Sequence, residues 1–152
     1  MAAQVINSAA DRFAVAPFDT WVNAEKVTHE LRTGSYPLSE ISYLGLQSVL
    51  VGSAAQPLRH LPFSGNPVPI VSSPGPIADR LTARLDAGAA SLQAALSAWL
   101  LPRHAAELQR SVERGNILLW VQLKDHAAER HACRALLAAG CASVGVHDLV
   151  DG

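Results

Sequence analysis

The sequence is poor in charge, and its charges of opposite sign nearly balance. Only 16% of its 152 residues are charged, and 12 Lys and Arg residues face 13 Asp and Glu residues, for a net charge of −1. A chain without an excess of basic residues lacks the composition typical of nucleic-acid-binding proteins, so we expect no nucleic-acid partner. Apolar residues make up 49% of the chain. Such a composition predicts one folded domain with a real core and excludes an intrinsically disordered chain.

Cysteines are few, and no apolar run is long enough to cross a membrane. Cys133 lies on a predicted helix and Cys141 lies beyond its end, about 9 Å further along, which exceeds the usual reach of a disulfide. Reduced thiols are typical of a cytoplasmic protein. The longest apolar stretch, residues 87–101, is interrupted by two serines and a glutamine, and a membrane span needs about 20 apolar residues. The N-terminus lacks the basic start and apolar run of a signal peptide, so we expect a cytoplasmic location.

The first third of the chain predicts a strand, a helix and a second strand. Residues 12–18 alternate, with Phe13 and Val15 on one face, and we expect Pro17 to end this strand. Apolar residues at helical spacing then predict a helix that ends at a glycine. Residues 41–51 are rich in β-forming residues and predict the second strand.

The middle of the chain predicts a connector followed by helices. Residues 52–76 contain six prolines, a density at which we expect no regular helix or strand. Residues 77–101 predict one long helix of about 35 Å, because apolar residues recur every three or four positions. Pro102 marks a break, and a shorter amphipathic helix then extends to Gly115.

The last third predicts another strand, helix and strand. Residues 116–124 are apolar on both faces, with Leu118 and Trp120 on the second face. This pattern indicates a central strand that is covered on both sides. An alanine-rich helix that ends at Gly140 and a strand over residues 142–149 complete the chain.

These elements divide a single domain into five segments: a leader (residues 1–11), a first strand–helix–strand half (12–51), a proline-rich connector (52–76), a helical insertion (77–114) and a second half (115–152). Joined into one sheet, the two halves predict an α+β fold, a ferredoxin-like four-stranded antiparallel sandwich with a long helix inserted between its halves. The helices of such a sandwich cover one face of the sheet. The other face therefore needs a cover from the inserted helix or from a partner subunit.

The order of features in the two halves resembles bacterial general-stress (heat-induced stress) protein domains. The segment HAAELQRSVERGNILLWVQLKDHAAERHACRALLAAGCASVGVHD is similar to the C-terminal half of those domains. It has a basic residue and glycine at a helix end, an apolar strand, an acidic residue, an alanine-rich helix, a glycine and a short valine strand. In this chain they are Arg114-Gly115, residues 117–123, Asp125, residues 129–139, Gly140 and residues 144–148.

The N-terminal segment FDTWVNAEKVTHELRTGSYPLSEISYLG is similar to the first half of the same family. The resemblance covers residues 12–51 and 100–149, and it implies a stress-linked or accessory role with no assigned reaction. Related proteins often carry a glycine-rich, membrane-like segment between the halves. This chain departs from that pattern, because a proline-rich connector and a helix interrupted by polar residues stand there instead.

Potential metal ligands are densest near the C-terminus, at Asp125, His126, Glu129, His131, Cys133 and His147. Three of them recur at positions i, i+3 and i+7 of the predicted helix, and zinc accepts such ligands. No familiar ligand spacing accompanies them, and a solvated helix face explains the same positions. His126, Glu129, Cys133 and His147 are therefore candidates for a metal or small-molecule pocket, while no cofactor is expected.

No nucleophile motif and no phosphate-binding glycine loop is present, so we expect no catalytic residues. His147 and the next residue, Asp148, could hold a proton relay. Their charge is also typical of an edge strand, where it discourages pairing with another sheet.

The apolar stripe of the long helix and the second face of the third predicted strand are candidates for an interface, at Leu81, Leu85, Leu92, Leu96, Trp99, Leu118 and Trp120. The stripe is longer than a small sandwich needs, which favours a helix-mediated dimer or a partner-binding surface; packing on the exposed sheet face within the same chain also explains it. The expected function is a non-enzymatic interaction or accessory protein, either a homo-oligomer or a subunit of a larger assembly. Ligand or metal binding is one alternative. Peripheral membrane binding is the other, although the helix lacks a basic face.

Overall fold

The computed structural model describes residues 10–33, 40–52, 57–141 and 143–150. Over these residues the chain has an α+β fold, in which one antiparallel sheet lies between two layers of helices. The strands are β1 (Ala10–Phe18), β2 (Ile41–Leu46), β3 (Arg59–Leu61), β4 (Ile70–Ser72), β5 (Ile117–Leu123) and β6 (Gly145–Val150). The helices are α1 (Trp21–Thr33), α2 (Gln47–Leu50), α3 (Pro76–Asp86), α4 (Leu92–Leu96), α5 (Pro102–Glu113) and α6 (His126–Ala138).

The sheet has the strand order β3-β4-β2-β5-β1-β6, and every pair of neighbours is antiparallel. The expectation of a four-stranded sheet is therefore wrong, because the proline-rich connector supplies two more strands. Its prolines flank the short strands β3 and β4 and do not interrupt them. The backbone N–H of Gln47 donates to the carbonyl of Pro69 at 2.9 Å, so even a proline next to β4 contributes an acceptor.

The central position predicted for β5 is confirmed. The strand lies between β2 and β1, and its residues alternate between the two faces of the sheet. Ile117, Leu119 and Val121 face the helices α1 and α6, whereas Leu118 and Trp120 face α3, α4 and α5. We call these two sets of helices the α1/α6 layer and the α3–α5 layer.

The α1/α6 layer follows its predicted pattern closely. Its buried residues recur at helical spacing, at Ala24, Val27 and Leu31 in α1 and at Ala128, Ala132 and Leu136 in α6. Asp125 caps α6, because its Oδ1 accepts from the backbone N–H of Ala128 at 2.8 Å. Gly140 follows the helix with a φ of 90°, which only glycine adopts without strain.

The single long helix predicted over residues 77–101 is wrong. The chain forms α3, a turn and then the short α4, and Gly88 in the turn has a φ of 100°. Ser91 starts the second helix, because its Oγ accepts from the backbone N–H of Ala94 at 3.0 Å. The backbone N–H of Gln93 donates to Oε1 of Gln109 at 2.7 Å and links α4 to α5. Two polar residues that interrupt the apolar run therefore mark a helix start.

Smaller differences concern the first half. The strand expected over residues 41–51 ends at Leu46, and the next four residues form α2. β1 continues through Pro17, beyond the point where β6 pairs with it, so the proline lies where β1 has one neighbour only. Leader residues 1–9, the glycine expected to end the first helix (Gly34) and residue 142 at the start of the last predicted strand lie outside the described residues.

Candidate functional site

A cleft of about 510 Å³ opens between α5, β1 and β6 on the α3–α5 side of the sheet. We call it the α5–β6 cleft. Its basic residues are His104, Arg110, Arg114 and His147, and its acidic residue is Glu107. Clefts of this size are typical of sites for small molecules.

Helix α5 brings His104 to the cleft. Ala105 and Val112 are buried against the sheet and hold the helix in place. At its end, the side-chain amide of Asn116 donates to Oγ of Ser111 at 3.0 Å, and its backbone N–H donates to the carbonyl of Ser111 at 3.1 Å. These bonds fix the last turn of α5 beside β5.

Strand β6 brings His147 to the same cleft from the other side. His147 is paired with Phe13 of β1, and opposite residues of an antiparallel pair share one face of the sheet. Phe13 faces the α3–α5 layer, so His147 also lies on that side. Its ring packs edge-on against the ring of His104, with centroids 5.6 Å apart and an interplanar angle of 62°.

A glycine makes room for this histidine. A Cβ atom at Gly145 would lie 2.8 Å from Nε2 of His147, so the imidazole folds back over the bare backbone of its own strand. The position of His147 thus depends on the lack of a side chain two residues earlier.

The surroundings favour the neutral form of His147. Burial lowers the pKa of His147 below its ordinary value of 6.5, the neighbouring His104 lowers it further, and Asp148 opposes both effects. A neutral imidazole both donates and accepts a hydrogen bond. The cleft therefore combines two imidazoles with two guanidinium groups, which are the donors that hold phosphates and carboxylates.

The predicted metal-ligand set is divided by the sheet. His126, Glu129 and Cys133 belong to α6. His147 lies on the opposite face of the sheet, because strand residues alternate and its neighbour Asp148 points to the α6 side. Among the described residues, no group of three or more His, Cys, Asp or Glu side chains is arranged to hold a metal ion.

Glu129 and Asp148 instead bind one arginine. Arg12 donates from Nη1 to Oε1 of Glu129 and from Nε to Oδ1 of Asp148, each at 2.8 Å. The hydrogen bond from Arg12 lowers the pKa of Asp148. These contacts hold β1, β6 and α6 together, so the charges of Glu129 and Asp148 have a structural role.

The remaining metal candidates have no ligand geometry around them. His126 is exposed in the first turn of α6, and Asp125 caps that helix. His131 is half-buried on the same helix. Cys133 and Cys141 are both free thiols, and burial raises the pKa of each. A thiol with a raised pKa is a poorer nucleophile and a poorer metal ligand at neutral pH.

The structure places most of the candidate interface residues inside the chain. Five of them are buried between the sheet and the α3–α5 layer: Leu81, Leu92, Leu96, Leu118 and Trp120. Leu85 and Trp99 pack on the same core and remain partly exposed. Packing within the chain, the alternative left open by the sequence, therefore accounts for the stripe and covers the second face of β5.

The sequence alone did not single out His104. Its one signal is position, because His104 stands four residues before Leu108 on the side of α5 that packs toward the core. This position indicates a site only once the pairing of β6 with β1 is known, because that pairing brings His147 next to His104.

No family model matches the chain, and no curated protein and no solved structure matches it either. The resemblance to general-stress protein domains therefore stays a prediction. Within the described part of the chain, none of the helices has the length and apolar character needed to span a bilayer.

Proposed function

We propose that the protein is a non-enzymatic accessory protein that binds a small oxyanion, a phosphate or a carboxylate, in the α5–β6 cleft. The observation that carries this proposal is the edge-to-face pair of His104 and His147 in a cleft that Arg110 and Arg114 also line. With histidine counted as neutral, two arginines and one glutamate still give the cleft a positive balance. A binding role also agrees with a sequence that has no nucleophile motif.

An anion would interact with the cleft in two ways. The guanidinium groups of Arg110 and Arg114 offer charge-assisted hydrogen bonds, and the partly buried position of His147 strengthens electrostatic contacts with it. The same anion would favour a protonated His147 and would thereby reverse the effect of burial on its pKa. We therefore expect binding to strengthen as the pH falls.

Isothermal titration calorimetry with inorganic phosphate and, separately, with acetate tests the proposal and distinguishes the two classes of ligand. We expect His147→Gln and Arg110→Gln to weaken binding by about tenfold each, the effect of losing one charge-assisted hydrogen bond. His60→Gln is the matched control, because His60 is exposed on β3 at the opposite edge of the sheet. Absence of binding by both anions, or equal affinity in all variants, contradicts the proposal.

We also propose that four of the six strands form a ferredoxin-like unit. The neighbouring strands β2-β5-β1-β6, together with α1 and α6 on one face, support a ferredoxin-like unit of two strand–helix–strand halves. Strands β3 and β4 and the α3–α5 layer would be additions to that unit. A stress-linked role and a cytoplasmic location, both expected from the sequence, belong to the same proposal.

A second candidate function is self-association through β6, whose outer edge pairs with none of the described strands. The strand is at the edge of the sheet, Val150 is 53% exposed, and the charge of Asp148 is matched by Arg12. Antiparallel pairing of two copies, centred on Asp148, would place Val146 of each copy opposite Val150 of the other.

Light scattering measures this association directly. We expect a dimer for the wild-type chain and a monomer for Val150→Lys, because a charge on the edge opposes strand pairing. Val22→Lys is the control, since Val22 is 70% exposed on α1 and lies away from the β6 edge. A wild-type monomer, or a dimer that Val150→Lys leaves intact, contradicts self-association through β6.

A further inference from the structure

A second cavity, of about 500 Å³, lies beside the start of β1, between α3 and Trp99. We call it the α3 cavity. None of the residues that line it also lines the α5–β6 cleft. It is therefore independent of the oxyanion site proposed above.

One of the two arginines that line the α3 cavity forms no ion pair with another described residue. Both carboxylates that line it are already paired, Asp11 with Arg80 and Asp79 with Arg59, whose Nη1 lies 2.6 Å from Oδ1 of Asp79. Arg84 stands one helical turn after Arg80 in α3 and lines the same cavity. Its Nε atom is buried and has no hydrogen-bond partner among the described residues.

A buried donor without a partner is unfavourable, and a guanidinium group is shaped to bind a carboxylate. Its Nε and Nη atoms donate two parallel hydrogen bonds to the two oxygens of that group. A carboxylate beside Arg84 would satisfy the buried Nε and would balance the remaining charge of the cavity.

Trp99 favours an apolar group in the same cavity. Its side chain is half-buried, packs on the core with one part and lines the α3 cavity with another. Pro76 and Ala83 add further apolar surface. An indole in such a position favours a flat apolar ring, which it contacts by offset stacking or edge to face.

We propose that the α3 cavity binds an aromatic carboxylate, with the carboxylate on Arg84 and the ring against Trp99. The volume suits a ligand of this size, since small-molecule sites span about 300–1,000 Å³. A ring and an anion are both required, so neither an inorganic ion nor an uncharged aromatic compound satisfies the site.

Calorimetric titration with 2-naphthoate tests the proposal, and 2-naphthamide and acetate serve as matched probes. The amide keeps the ring and lacks the charge, whereas acetate keeps the charge and lacks the ring. We expect 2-naphthoate to bind in the α3 cavity, in addition to any carboxylate binding in the α5–β6 cleft. The other two compounds should bind in the α3 cavity at least about tenfold more weakly, the effect of one lost charged hydrogen bond or ring contact. Equal affinity for the naphthoate and the amide, or no binding of the naphthoate, overturns the proposal.

Variants locate the binding. We expect at least about a tenfold loss of naphthoate affinity in Arg84→Gln and in Trp99→Leu, and a smaller loss in Arg84→Lys, which keeps the charge without the paired donors. Arg103→Gln and Trp21→Phe change the same residue types outside the cavity and should bind as the wild type does.

Circular dichroism and the melting temperature establish that each variant is folded. If Arg84→Gln does not fold, Arg84→Lys and Trp99→Leu still give the answer. Wild-type affinity in the folded variants overturns the proposal. A loss in His147→Gln in place of Arg84→Gln would assign the naphthoate to the α5–β6 cleft and would overturn it equally.

Discussion

His147 lies so close to Gly145 that a Cβ atom on the glycine would be 2.8 Å from Nε2 of the histidine. The imidazole thus packs over its own strand on one side and against His104 on the other. This arrangement holds His147 in the α5–β6 cleft, and substitution of the glycine can disturb it without removing any functional group.

Gly145→Ala should displace the ring of His147 at little cost to the fold. Gly145 has no positive φ, so an alanine fits its backbone, and the clash falls on the end of a side chain that can turn. We expect the free energy of unfolding to change by less than about 1 kcal/mol. The pKa of His147, measured by NMR, should rise toward its ordinary value, because the ring leaves its buried position. An unchanged pKa contradicts this explanation, and Val150→Ala on the same strand is the control.

The lowered pKa of His147 predicts a pH dependence of stability. The unfolded chain binds a proton at His147 more readily than the folded chain does. The protein is therefore fully stable above pH 6.5, the ordinary pKa, and loses stability as the pH falls through the lower pKa of the folded chain. Urea unfolding at a series of pH values measures this effect. Below pH 6.5 we expect the free energy of unfolding of the wild type to decrease relative to that of His147→Gln.

Asp148 provides the internal comparison for that experiment. Its pKa is lowered by the hydrogen bond from Arg12, so its contribution to stability is present above 3.8 and is lost as the pH falls through its folded pKa. The loss at His147 therefore begins below 6.5, whereas the loss at Asp148 begins only below 3.8. If the free energies of unfolding of wild type and His147→Gln run parallel between about pH 7.5 and about pH 5, the pKa of His147 is not lowered.

Trp120 should tolerate phenylalanine far better than alanine. The residue is 0% exposed, its ring meets Phe13 edge-on with centroids 6.3 Å apart, and its Nε1 has no hydrogen-bond partner among the described residues. Trp120→Ala leaves a large cavity and should cost about 3–5 kcal/mol. Trp120→Phe keeps much of the ring contact and removes an unsatisfied donor, so we expect a cost of roughly 1–2 kcal/mol.

Chemical denaturation of the two variants measures these costs. Val22→Ala, at an exposed position of α1, is the control and should change the free energy of unfolding by less than about 0.5 kcal/mol. Equal costs for Trp120→Phe and Trp120→Ala would show that the indole N–H has a partner that stabilises the fold.

The position of a strand in the sheet was predictable where its pattern of apolar residues is compatible with one position only. Strand residues alternate strictly, so the apolar positions of β5 on both faces were enough to place it at the centre. The break in the helical insertion was not, because the apolar stripe continues at helical spacing from Leu85 to Leu92. Only the positive φ of Gly88 and the capping role of Ser91 reveal the turn.

The candidate site depends on contacts between distant parts of the chain, and these were not predictable. The sequence groups His147 with His126, Glu129 and Cys133, which are close to it along the chain. The pairing of β6 with β1 places His147 beside Phe13 and turns it to the opposite face of the sheet. The strands β3 and β4 were missed for a similar reason, since their stability comes from pairing with β2 and not from local preference.

Anion binding in the α5–β6 cleft can be detected through the pKa of His147, measured by NMR with and without saturating inorganic phosphate. A bound anion favours the protonated imidazole, so we expect a pKa below 6.5 in the free protein that rises clearly when phosphate is added. The rise should be smaller in Arg110→Gln, which removes one of the donors of the cleft. A pKa of His147 that phosphate leaves unchanged, or a rise of equal size in Arg110→Gln, would contradict oxyanion binding in the cleft.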